Sequence, residues 1–177
     1  MTREIPESHP LYRLFRGITE YTFMSELGIG DPELVGYVTN LLVRFVPAPM
    51  IWRLRNARGE RLTEVTAMVA EAEAATDAGR RYECHRHVGD FTLFWTGVYP
   101  DALARLQASN SPDHLVDFQA QGKRSYFLAS TLEKNEGAVL RRLSDEFELC
   151  AFGLSCVRRE WERQDPPPSP PQRGLVA

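Results

Sequence analysis

Residues 80–100, RRYECHRHVGDFTLFWTGVYP, constrain the fold more than any other part of this 177-residue chain. Cys84, Val88, Phe91, Trp95 and Val98 recur at helical spacing, which predicts one apolar helix with these side chains on one face. His87, Asp90 and Gly97 fall beside that face, in the most hydrophobic stretch of the sequence. A charge placed there needs a partner, because burying it alone is costly. Asp90 therefore has two readings. It is a carboxylate held by an arginine, a tyrosine hydroxyl or a backbone N–H at another helix start; or it is a general base or ligand with a shifted pKa.

The flanking sequence is punctuated as helices. Ser8 with Pro10 starts a first one, carried by Leu11, Phe15, Ile18 and Thr22 and closed by Gly28. Asp31-Pro32 starts a second, with Leu34, Val38, Leu41, Leu42 and Phe45 as its buried stripe. Residues 50–54 read as a short helical turn and 56–60 as a loop. Leu62, Val65, Met68, Val69 and Ala72 mark a third helix, and Asp77 caps the central one. A short helix over 101–107 follows Pro100. Ser111-Pro112 starts a longer one, with Leu115, Phe118, Gly122, Tyr126 and Ala129 on its face. Asn135 caps a last helix, in which Leu140, Leu143, Phe147, Cys150, Leu154 and Trp161 run at near-heptad spacing towards Arg163. The expectation is an all-α fold: a single-domain bundle of about six or seven helices over 8–164. A disordered Pro-rich tail, DPPPSPPQRGLVA, follows over 165–177.

Composition narrows the function classes. Net charge is −3, which argues against general nucleic-acid binding. The basic residues are arginine apart from Lys123 and Lys134, as in proteins from GC-rich bacterial genomes. Cys84, Cys150 and Cys156 do not make a disulfide framework, so reduced thiols in a cytoplasmic protein are expected. The N-terminal residues have no apolar core of a signal peptide, and no apolar run has the length of a membrane span.

Two segments carry a resemblance. The first holds Gly89, Asp90, Phe91, Leu93, Phe94, Gly97 and Pro100; the second holds Val116, Asp117, Phe118, Gly122, Ser125 and Tyr126. Together they resemble an uncharacterised bacterial family of all-helical proteins. The resemblance implies a helical fold across the domain and no activity.

Two His-x-x-Asp pairs, His87/Asp90 and His114/Asp117, sit on consecutive long helices of the expected fold. Their i,i+3 spacing puts each pair on one face, so two packed helices could offer four ligands to a divalent metal. The same residues also serve as hydrogen-bonded core and helix-start groups. Glu-x-x-His, Gly-x-Ser-x-Gly and Walker sequences are absent. Cys84 beside His85 and His87 belongs to the apolar stripe, which argues against a reactive thiol. Tyr82, Phe91, Phe94, Trp95, Tyr99, Phe118, Tyr126 and Phe127 either fill the core or line a pocket for an apolar ligand. Gly89, Gly97 and Gly122 either mark close helix approach, with Gly97 and Gly122 as the crossing points, or leave space for a ligand. The reading is a binding or interaction module without catalysis, with a protein partner or a second copy, a homodimer on the long last stripe, and neither nucleic acid nor membrane. Its rivals are a metal-binding enzyme or sensor using His87, Asp90, His114 and Asp117, and a small-molecule sensor with an aromatic-lined pocket.

Overall fold

The computed structural model describes residues 5–47, 49–108 and 110–164, and the expected tail over 165–177 lies outside them. Among the described residues the regular structure is helical: α1 (Pro10–Glu20), α2 (Pro32–Phe45), α3 (Val65–Ala74), α4 (Ala78–Val98), α5 (Pro100–Leu106), α6 (Phe118–Leu132), α7 (Gly137–Asp145) and α8 (Phe147–Gln164). The all-α expectation holds, and no described helix is long and apolar enough to cross a membrane.

The central helix is α4, which packs against α2, α3, α5, α6 and α8. Asp77 caps it by accepting the Arg80 N–H at 2.8 Å. From Cys84 to Val98 every residue is buried except Arg86 and Thr96, so its side chains meet neighbours all round. Phe94 packs edge-on against Phe45 and Tyr99, and Trp52 against Phe91. The central aromatics Phe91, Phe94, Trp95, Tyr99, Phe118 and Tyr126 thus fill the core, whereas Phe127 is exposed under the Arg141 guanidinium. Glycines set the helix spacing. A Cβ on Gly89 would stand 2.6 Å from the Tyr126 ring, and one on Gly97 2.7 Å from Leu154. One on Gly122 would stand 2.5 Å from Phe147. The close-approach reading of all three holds.

The first helix is capped by His9 rather than Ser8: the His9 imidazole accepts the Leu11 N–H at 3.1 Å, with Pro10 in the first turn. After α1 the chain widens into a π turn over Tyr21–Glu26, where the Leu27 N–H reaches Thr22. Gly28, at φ +69°, ends it in the left-handed region open to glycine. Asp31 caps α2 as expected, accepting the Glu33 N–H at 2.9 Å.

The expected Asn135 cap is not formed, since Glu136 precedes α7 without a side-chain cap, and two further boundaries differ from the sequence expectation. The sixth helix starts at Phe118, not near Pro112, and Leu115 is 85% exposed. The reason lies 48 residues upstream. The buried Asp113 carboxylate accepts the Val65 and Thr66 N–H groups at 2.8 and 3.0 Å and so caps α3 across the fold. The segment carrying Asp113 is held as a turn, and Asp117 caps α6 instead, through the Ala120 N–H at 3.0 Å. The second difference is the last helix, which breaks at Glu146 (φ −111°, ψ 27°). Phe147, the next residue, packs into the notch at Gly122 and against Tyr126. That break brings the count among the described residues to eight. The near-heptad stripe from Leu140 to Trp161 is buried within the chain, so it forms a spine rather than an open face. The large apolar groups that α8 exposes are Leu149 and Phe152.

Candidate functional site

Asp90 is 1% exposed and has two tyrosines and an arginine around it. The Tyr37 hydroxyl of α2 donates to Oδ1 at 2.7 Å, and the Tyr126 hydroxyl of α6 donates to the same oxygen at 2.8 Å. Arg44 of α2 donates to Oδ2 at 3.1 Å. Arg86, one turn before Asp90, donates through Nε to the Tyr37 oxygen at 3.1 Å and lies over the Tyr37 ring. Its other end meets Glu136 at 3.2 Å, and the Tyr82 hydroxyl donates to the same Glu136 oxygen. A continuous polar chain therefore ties α2, α4, α6 and the start of α7 together.

The electrostatics follow from that geometry. Burial opposes ionisation of Asp90, but Arg44 and Arg86 with the two hydroxyls overcome it and hold the carboxyl below its ordinary pKa. Burial, then the charge of Asp90, pushes both Tyr37 and Tyr126 well above the usual phenol range. The cluster is thus a carboxylate with neutral phenols and cationic guanidiniums, each donor aimed at an acceptor. Of the two readings of Asp90, the held carboxylate is the one these contacts describe.

The four residues of the His-x-x-Asp pairs have separate settings. His87 is buried, and its Nε2–H donates to the Ile51 carbonyl at 3.1 Å. Burial first, then Arg53, lowers its pKa to about 4, so it is neutral at pH 7. Asp90 spends its oxygens as above. His114 is exposed and turns to the Ser111 carbonyl, while Asp117 is the α6 cap. Among the described residues no three His, Cys, Asp or Glu side chains are grouped to hold a metal ion. Cys84 is buried, and burial pushes its thiol up to about 11, away from thiolate character.

An open feature lies on another face of the same helix. A groove of about 250 Å³ runs between α3, α4 and α6. Val69, Ala72 and Leu128 give it apolar walls; Arg81, His85, Gln121 and Arg124 give it donors; Glu73 stands at its edge. His85 is only 5% exposed, and its Nδ1 is buried without a hydrogen-bond partner. Burial, followed by Arg124 and Arg81, lowers the His85 pKa. Arg81 donates to the Ala75 carbonyl at 3.0 Å, whereas Arg124 makes no hydrogen bond or ion pair among the described residues.

Sequence reasoning singled out Asp90 and missed its partners Tyr37, Arg44 and Arg86. They lie on another helix or outside the apolar stripe, and no spacing rule links them. It also missed Asp113 as a cap and the groove at His85. Comparison with protein-family models, curated proteins and solved structures finds no match, so the family resemblance rests on the two quoted segments alone.

Proposed function

We propose that the protein is a helical binding module, without catalysis, that takes its ligand in the α3–α4–α6 groove. The observation that carries this reading is His85: an imidazole almost fully buried, with an unpartnered nitrogen, on the wall of an open polar groove. Buried polar groups normally find partners, so an imidazole that lines a groove while one of its enclosed nitrogens stays unpaired supports this face as the place where a ligand seats. The remaining reactive side chains support a binder over a catalyst. Asp90 is enclosed by donors, His87 is tied to a carbonyl, and the Cys84 and Cys150 thiols are buried with raised pKa values. We place the protein in the cytoplasm, on the free state of its three cysteines.

The test is an NMR screen of the full chain against a panel of small charged and neutral fragments. The expected result is saturable shifts confined to Arg81, His85, Gln121, Arg124 and Leu128. Binding confined to another face, such as the exposed Phe152 of α8, overturns the assignment.

A further inference from the structure

We propose that the groove at His85 selects a small organic anion, a carboxylate carried on an apolar body. This rests on the groove being the binding site and goes further by naming its ligand chemistry. Arg81 on α4 and Arg124 on α6 stand on the groove, and Glu73 on α3 opposes them. Two guanidiniums against one carboxylate leave a field suited to a single negative charge. A dianion would meet Glu73 as well.

Arg124 supplies the recognition group. Its side chain is exposed at the groove and has no ion-pair partner among the described residues. A guanidinium presents two parallel N–H groups that match a carboxylate. Gln121 adds a half-buried amide whose nitrogen donates to the Ser125 hydroxyl at 3.0 Å. The buried His85 ring lines the groove between the two arginines' helices. Val69, Ala72 and Leu128 cannot contribute hydrogen bonds, so they ask for hydrocarbon. At about 250 Å³ the space is below that of drug-sized pockets, which sets the ligand as small.

Asp90 does not compete for this role. Its positive partners, Arg44 and Arg86, are half-buried and already paired with Asp90 and Glu136. The groove is where uncommitted positive charge and apolar surface meet.

The experiment titrates the full chain with hexanoate, with its neutral amide hexanamide, and with inorganic phosphate, following the His85 ring and Arg124 side-chain NMR signals. Hexanoate is expected to saturate these signals and to bind at least about tenfold more tightly than either other probe. Arg124→Gln should weaken hexanoate by a similar factor while leaving the melting temperature unchanged, because Arg124 holds nothing else. Equal affinity for hexanoate and hexanamide, or hexanoate binding insensitive to Arg124→Gln, overturns the anion assignment and leaves the groove as a site. Phosphate binding tighter than hexanoate overturns the carboxylate class. Failure of all three probes to shift His85, while screen fragments bind another face, removes the groove itself.

Discussion

Asp90 and His85 lie five residues apart on the same buried helix, and they are treated in opposite ways. Asp90 is a charge with two hydroxyls and a guanidinium directed at it from α2 and α6. His85 is neutral in character, almost as deeply buried, and keeps a nitrogen without a partner. The first is a polar network closed by its own chain, and such networks fix how helices seat against each other. The second is a network with a member missing. A buried ionisable residue is therefore not a functional signal in itself; the accounting of its partners decides.

The largest test of this contrast is Asp90→Asn. The change keeps the shape but removes the charge that Arg44 answers and turns one acceptor oxygen into a donor facing donors. Breaking a buried pair from one side should cost about 3 kcal/mol, measured by urea unfolding at pH 7. The contribution has a sign in pH as well. Because the folded pKa of Asp90 is lowered, its stabilisation is full above the unfolded carboxylate pKa of about 4 and is lost as pH falls further. Wild type and Asp90→Asn should converge in stability on acidification below that point. A variant as stable as wild type at pH 7 would show that the cluster does not hold the helices.

A smaller test uses the glycine beneath the cluster. Gly89→Ala places a methyl 2.6 Å from the Tyr126 ring, so the ring must move and draw its hydroxyl from Asp90. Overpacking of this kind costs about 1–3 kcal/mol, against about 1 kcal/mol gained in helix propensity. Gly36→Ala on α2 meets nothing within 4 Å and should instead stabilise by about 0.5–1 kcal/mol. Thermal unfolding of the pair separates the two. A stabilising Gly89→Ala would mean that the α4–α6 contact is loose at the cluster.

These sites also divide by how far a sequence can reveal them. The helices of α2 and α4 were readable because their signals are local: Asp31-Pro32, Asp77 and the stripe from Cys84 to Val98 all act within a few residues. Asp90 stood out because it places a charge beside that stripe. The α6 start and the break at Glu146 were hidden because their causes are distant. Asp113 leaves its own segment to cap α3, and Phe147 turns into a notch made by Gly122. The groove was hidden for the same reason. Val69, His85 and Arg124 come from three helices, and only packing shows that their side chains share a space.

The smallest expected effect is the one that most sharpens the contrast. His85→Leu replaces an imidazole with an unpartnered nitrogen by a side chain that needs none. Where Asp90→Asn destabilises, this change should be neutral or stabilise by up to about 1 kcal/mol at pH 7, because the buried nitrogen carries an uncompensated desolvation cost. The difference should grow in acid. The folded His85 pKa is lowered by burial and by Arg124 and Arg81, with Glu73 acting the other way. The unfolded chain therefore takes up the proton first, and wild type loses stability as pH falls below about 6.5. The variant escapes that loss at position 85. His87 has the same sign of dependence in both proteins, with its pKa lowered to about 4, so the difference between the two curves isolates His85. Urea unfolding at pH 7 and pH 5 reads both effects. A His85→Leu variant destabilised as much as Asp90→Asn would mean that the imidazole is a structural member of the core, and the groove would lose the observation on which its assignment as a binding site stands.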